Sequence, residues 1–568
     1  MASRMLQLRF NSTKASSYVK QVTRSNFTES LEELKPQISS SQFISISLTK
    51  TGTHSSPWHK ISPYDTPETS YLKLKHASER FQILQFSICP FTISSSKLTA
   101  YPYNFHLFPR DELKLGIPCY SFTCQTSFLK KLSSQGFDFN NCIYFGISYL
   151  SREQQSLASI KLGRILPSSK NIWKPSSTPN VANSIFLERI KIRIKNWRDA
   201  CRESSNVRDE VLMRSLRKIV MGSEEYNSRP SLSIDVCNDH QAALVAEMVQ
   251  EHYDDLIPLV SNGKEGFAKS IRLVLSSSKE DKDRLREEIE ETEKMNYMKL
   301  SGFRIVVDAL SDSQKPIVCV NSLDDLTFIY SKFIGSLPSN FDDFARSVEA
   351  TFPRVIDVSN LLKRVSPVKG GSVSASLHRM KSRFFAPIDI EIPNHASWED
   401  DRIHDDAVLT TAHALAKLTR VTNPEDLTSN IAHKDVRVSD KSKRTTKCEN
   451  VVFVWGFGYD TGAGTLKKTL AKFECLENVK FDVRLVEKNC AIVVFWEDGV
   501  SDTFARVVEC GAEDGIVGLR AGGYERYEMV CRLGLWESSL VDALDKVDHC
   551  SLSVRRPASD WFVNFDEL

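Results

Sequence analysis

Apolar and polar positions divide the chain into zones of different period. Between residues 22 and 160 the apolar residues come in short runs. SQFISISLTKTG, SERFQILQFSICPF and YPYNFHLFP are rich in Ile, Phe and Tyr and are bounded by Ser, Gly or Pro, which predicts strands in a mixed α/β unit. From 184 to 300 the character changes. SIFLERIKIRIKNWRDA sets Ile185, Ile190, Ile192 and Ile194 among five basic residues, and KEDKDRLREEIEETEK reads as a charged, solvated helix. Residues 302–420 return to α/β: GFRIVVDAL and KPIVCVN read as strands, and DDLTFIYSKFI has a helical period. Residues 421–448 are polar, with Lys441, Lys443, Arg444 and Lys447, and read as a linker. A β-α-β-β-α pattern runs from Asn450 to about Cys510. The remainder, through Trp536 and Trp561, carries no pattern of its own, and no segment repeats.

At about 150 residues per domain, 568 residues predict three to four domains. Lys and Arg number 74 against 72 Asp and Glu, a net charge of +2, which argues against a chain wholly devoted to coating nucleic acid. No apolar stretch is long enough to span a membrane. The 13 cysteines include no CxxC pair, and the nearest two, Cys119 and Cys124, have no matching pair elsewhere; they read as free thiols in a reducing compartment. Residues 1–28 carry Arg4, Arg9, Lys14, Lys20 and Arg24 and no acid, with Met5, Leu6, Leu8 and Phe10 among the first charges. That composition predicts a transit peptide over residues 1–21 and a mitochondrial address, with cytoplasm and nucleus as the alternative.

Six strings carry a resemblance to a known family. They are FISISLTKTG, YDTPETSYLKLKHASERFQILQFSICPF, CQTSFLKKLSSQGFDFN, GISYLSREQQ, KPIVCVNSLDDLTFIYSKFIGSLP and FPRVID. In this order, with a long insertion between the fourth and fifth, the chain resembles the poly(A)-specific ribonuclease (PARN) family of deadenylating 3′-exonucleases, and its plant members most. The resemblance covers roughly residues 20–160 and 300–420. It implies a split ribonuclease-H-like (DEDD exonuclease) mixed sheet over 22–160 and 300–420. It further implies an inserted helical domain over 184–299 and an α+β RNA-recognition-motif (RRM) domain over 450–535. The activity it implies is 3′-to-5′ shortening of poly(A), on single-stranded RNA, by a protein that pairs with itself or with a family relative.

Nucleases of this kind use two Mg²⁺ ions about 4 Å apart, held by converging carboxylates, because Mg²⁺ takes hard oxygen ligands. The family draws these acids from an Asp-x-Glu pair on the first strand, an Asp in a second motif and an H-x-x-x-x-D third motif. This sequence departs from that set. The first pair falls on Ser47 and Thr49. The second motif keeps Asp325 and Asn321 but has Val320 for its histidine. The third keeps His404 but has Leu409 for its acid. Hydroxyls cannot replace carboxylate charge beside a strongly hydrated ion. The expectation is an impaired enzyme with little or no Mg²⁺ bound at Asp325. The alternative is an active exoribonuclease whose metal site has shifted towards Asp324, Asp405 or Asp406.

Binding is what such a chain retains. VFVWGF matches the first RRM strand with Phe453 at its aromatic position, and KNCAIVVF matches the third through Lys488, Ala491, Val493 and Phe495. Cys490 and Ile492 stand where base-stacking aromatics are usual. Trp455 and Trp496 are candidates for exposed strand positions, and the resemblance implies that one of them could stack on an mRNA cap; the alternative is that both pack in the core or against the nuclease domain. Lys363, Arg364, Lys369, Arg379, Lys381 and Arg383 form a basic run suited to phosphates, as do Lys191, Lys195 and Arg198 on one helix.

Overall fold

The computed structural model describes residues 19–94, 97–112, 114–117, 121–161, 181–203, 223–227, 229–262, 269–365, 388–393, 407–420, 445–510, 518–547 and 562–564. Two units emerge: one joins residues 1–110, 119–149 and 303–568, the other residues 111–118 and 150–302. The insertion therefore departs at 150 rather than near 160, and it takes up a short stretch at 111–118.

The main sheet begins at β1 (Lys20–Val22), which runs parallel to β5 (Tyr103–His106). Lys20 and Gln21 are sheet residues, so a transit segment drawn to residue 21 cuts into the fold. Residues 1–18 lie outside the described set. Helix α1 (Phe27–Ser40) buries Phe27, Leu31, Leu34 and Ile38, an i, i+4, i+7, i+11 stripe. β2 (Phe43–Lys50) is a central strand between β3 (Ile83–Ser94) and β10 (Ile317–Cys319). Between β2 and β3 lies α2 (Pro67–Arg80), where Thr66 accepts from the Thr69 amide and Pro67 occupies the first turn. β4 (Lys97–Ala100) pairs with β3.

The insertion was expected to be helical. It does hold α3 (Val181–Glu203), α4 (Asp239–His252) and α5 (Lys279–Ser301). It also holds a four-stranded antiparallel sheet of β6 (Ser223–Tyr226), β7 (Arg229–Val236), β8 (Leu256–Asn262) and β9 (Lys269–Leu275), in the order β6-β7-β9-β8. The period-2 signal is short but present: Leu232, Ile234 and Val236 alternate inward on β7, as do Ile271 and Leu273 on β9. They pack on Ile190, Ile194 and Trp197 of α3.

Back in the first unit, GFRIVVDAL is helical, not a strand: Arg304–Ser313 buries Val306, Val307 and Leu310 at three- and four-residue spacing. Next come β10 (Ile317–Cys319), α6 (Ser322–Ile329), β11 (Val355–Asp357), α7 (Val358–Val365), β12 (Asp389–Glu391) and α8 (Ala407–Leu418). The eight-stranded sheet has the order β1-β5-β3-β2-β10-β11, with β4 and β12 paired at its side. β2 is antiparallel to β3 and parallel to β10, which makes the sheet mixed.

The C-terminal part opens with β13 (Thr445–Lys447), which pairs with β18 (Phe562–Asn564). The elements β14 (Val451–Trp455), α9 (Ala463–Leu470), β15 (Phe481–Glu487), β16 (Cys490–Phe495), α10 (Val500–Cys510) and β17 (Arg520–Gly523) form an antiparallel sheet in the order β15-β16-β14-β17. Its inner face, Val452, Val454, Ala491, Val493 and Phe495, packs on Leu466, Leu470 and Phe504. Two more helices, α11 (Tyr524–Leu533) and α12 (Leu540–Val547), arise from the stretch in which the sequence shows no pattern.

Candidate functional site

The site is built where the C-terminal end of β2 meets the first turn of α6. A central strand buried on both faces normally reads as a continuous apolar run. β2 departs from that at Ser45, whose hydroxyl donates to the Val408 carbonyl at 2.9 Å. Ser47 and Thr49 follow, both half-buried. Thr49 Oγ1 lies 3.5 Å from Gln85 Oε1. The register against β3 then shifts, and Lys50 ends the strand.

Asp324 and Asp325 stand in the first turn of α6, where the helix dipole favours negative charge. Asn321 precedes the helix but makes no side-chain cap. Asp357, at the end of β11, does that work: its Oδ2 accepts from both the amide and the hydroxyl of Ser322 at 2.8 Å, and its Oδ1 accepts from the Asn360 amide at 3.0 Å. One carboxylate thus caps two helix starts.

Lys50 is the residue that the motif comparison missed. Its side chain is only 5 % exposed, and its ammonium lies 2.8 Å from Asp324 Oδ1 and donates to Asp325 Oδ1 at 3.2 Å. The same nitrogen sits 4.3 Å above the Phe328 ring. Burial works against the charged lysine, but the Asp324 and Asp325 carboxylates more than offset it and hold Lys50 above its usual range. Burial also raises the Asp325 carboxyl, and the ammonium only partly restores its preference for the ionised form. A charged residue closing an apolar strand reads as a surface position; only its partners, 275 residues away, reveal otherwise.

The other positions of the expected metal set are not carboxylates in waiting. Leu409 is 1 % exposed and lies in an apolar cluster with Val318, Ile356, Val358 and Ala412. His404, Asp405 and Asp406 lie outside the described residues. Among the described residues, no three His, Cys, Asp or Glu side chains group as candidate ligands of one ion.

The expected RNA-contacting residues separate into distinct environments. Phe453 and Trp455 were expected on an open sheet face; they are 0 % and 1 % exposed. Phe495 points into the opposite, inner face and is fully buried in the core. For Phe453 and Trp455 the reason is that α11 and α12 pack over that face of the C-terminal sheet. Trp496 is half-buried, and Lys488, in the turn before β16, is exposed. Lys363 and Arg364 fall on α7, but their side chains lie outside the described residues, as do Lys369, Arg379, Lys381 and Arg383 entirely. On α3, Lys191 pairs with Glu188 at 3.1 Å and Arg198 with Asp255 at 2.7 Å, so part of that basic stripe is neutralised locally.

Comparison with known proteins adds three findings. The profile of the CAF1 family ribonuclease matches residues 22–442. An Arabidopsis thaliana protein described as poly(A)-specific ribonuclease PARN-like is 42 % identical over 97 % of this chain and 96 % of its own length. A second Arabidopsis protein, described as poly(A)-specific ribonuclease PARN, is 32 % identical over 64 % of this chain; the match spans 54 % of that relative.

Proposed function

The chain belongs to the CAF1 family of ribonucleases, within its poly(A)-specific PARN-like branch, and we propose that it binds single-stranded, poly(A)-type RNA without the metal-dependent cleavage that gives the family its name. The observation that carries this reading is the Lys50 ammonium seated between Asp324 and Asp325.

Among the described residues, the side chains present do not fit a two-ion centre. The family's acid positions are Ser47, Thr49 and Leu409 here, and Asp325 already has a cation. A divalent ion about 4 Å from that ammonium would meet a repulsion on the order of 8 kcal/mol at an effective dielectric of about 20. A cleft floor with fewer unpaired acids has a second consequence. A strand of phosphates approaching several unpaired carboxylates is repelled until a metal neutralises them. With Ser47 and Thr49 uncharged and Lys50 offsetting one of the two carboxylates beside it, most of that repulsion is gone, and RNA binding needs no divalent ion.

Fluorescence anisotropy with labelled oligo(A), in chelator and in Mg²⁺, tests this. The proposal expects equal affinity in both, falling with salt at a slope of about −0.7 per phosphate contact. Tighter binding on adding Mg²⁺ favours the alternative, a working exoribonuclease with a rearranged site. The pairing with a second copy or a relative that the resemblance implies is part of the same proposal, and light scattering reads it.

A further inference from the structure

The outer face of the C-terminal sheet is the place where a fold of this topology would stack bases, yet it is filled by the chain itself. Tyr527 of α11 lies on Phe453 with ring centroids 4.7 Å apart and planes 19° from parallel. The Arg526 guanidinium sits 4.8 Å above the Trp455 ring, held there by two donations to the Leu544 carbonyl at 3.1 and 3.0 Å. The Trp455 indole donates to Asp545 at 2.7 Å. Gly522 makes this approach possible: a Cβ there would stand 2.7 Å from Arg526 Cδ and 3.3 Å from the Trp455 ring. Cys490 and Ile492, also on this face, are 0 % and 1 % exposed.

The cover continues into the main-sheet half of the same unit. Tyr527 donates its hydroxyl to Asp65 Oδ1 at 2.5 Å, and the other oxygen of Asp65 lies 2.9 Å from the Lys73 ammonium. Both ends of that ion pair are at most 1 % exposed. The Tyr524 hydroxyl donates to the Tyr64 carbonyl at 2.9 Å and accepts from the Thr66 amide at 3.1 Å. Tyr64 meets Phe453 edge-on at 5.9 Å. Lys73 belongs to α2, and α2 packs against α6, the helix of Asp324 and Asp325. A buried polar set of this kind is costly unless every member is satisfied, and here each named group has a partner.

We propose that this sheet face, with α11 laid over it, forms a self-docking surface whose partner is the chain's own segment 64–73. On this assignment the C-terminal sheet and α11 brace α2, and through it the Asp325 helix, and RNA is not read on β14 and β16. The inference stands apart from the RNA proposal above, since it concerns what the sheet binds, not whether the cleft binds RNA.

The test is hydrogen exchange on the full chain, wild type against Tyr527→Phe, which keeps the ring stack and removes only the donation to Asp65. Loss of a buried hydrogen bond to a charged group should speed exchange about tenfold or more in both Val451–Trp455 and Pro67–Arg80. A rise confined to Tyr524–Leu533 overturns the brace. Asp65→Asn, read in the same way, gives a second approach from the other side of the contact. In parallel, oligo(A) affinity should agree between wild type and Tyr527→Phe within about twofold, an energy change too small to reflect a lost or gained stacking contact. A gain of about tenfold would instead mark the face as a masked base-stacking platform. If neither protein binds oligo(A), the RNA proposal fails while the exchange result still decides this one.

Discussion

The Lys50 ammonium donates to the Asp325 carboxylate at 3.2 Å, joining the last residue of β2 to the first turn of α6. In a two-metal nuclease the corresponding acid faces divalent ions. Here a side chain of the same protein provides the positive charge, and it does so from a buried position that holds it in register.

Removing that cation should be expensive. Lys50→Met leaves Asp324 and Asp325 beside each other with no counter-charge, and breaking a buried pair by deleting one partner costs about 3–5 kcal/mol. The unfolding midpoint in urea is expected to drop accordingly. Adding Asp324→Asn and Asp325→Asn to Lys50→Met should recover most of the loss. Additive losses across the three substitutions would show that the ion group does not act as a unit.

Restoring acids alone should not restore a metal site. Ser47→Asp with Thr49→Glu adds two carboxylates but leaves Lys50 in competition with the ion. Calorimetric titration is expected to show Mg²⁺ binding only when Lys50→Met accompanies them. Leu409→Asp, the third family position, is expected to lower the melting temperature on its own, because it places a carboxylate in the apolar cluster around Val318 and Ile356.

Much of the main sheet was legible in the sequence. The Ile- and Phe-rich runs around Ile46 and Phe86 became β2 and β3, and KPIVCVN became β10. Asp325 was singled out only through the resemblance, as the acid of the second motif. Other features had no local signature. GFRIVVDAL was misread because Val306 and Val307 favour strands by propensity, while helical packing of Leu310 in the same stripe decided the outcome. Whether Trp455 is exposed or packed was open in the sequence because its cover, Arg526 and Asp545, comes from a stretch without visible pattern. Tyr527 and Asp65 meet across 462 residues, a relation that no window of sequence contains.

Acid should loosen the junction between the two halves of the first unit. His59 and His76 pack with Trp536, whose ring centroid is 4.6 Å from that of His76. Burial pushes both histidines down to about 4, with Arg80 adding to the effect on each. The unfolded chain takes up these protons near 6.5, the folded chain only near 4. The contribution to stability is therefore whole above 6.5 and is lost as pH falls through that window. A His76→Phe variant should show a shallower decline in urea midpoint between pH 6.5 and 4 than wild type. Parallel curves would contradict the assignment.

The address of the protein is open to a direct trial. The acid-free start, with Arg4 and Arg9, is expected to carry a fused reporter into mitochondria when residues 1–40 are used. Arg4→Glu with Arg9→Glu should abolish import. A cytosolic reporter in the unmutated fusion would rule the presequence out.

The most direct measurement is the length of a 5′-labelled oligo(A) incubated with the full chain in Mg²⁺, in Mn²⁺ and in chelator, resolved on a denaturing gel. With Lys50 holding Asp324 and Asp325, the oligonucleotide is predicted to remain full length in all three while still being retained by the protein. Stepwise shortening from the 3′ end that requires the divalent ion would contradict the account, because it would mean that a working metal site coexists with the Lys50 ion pair.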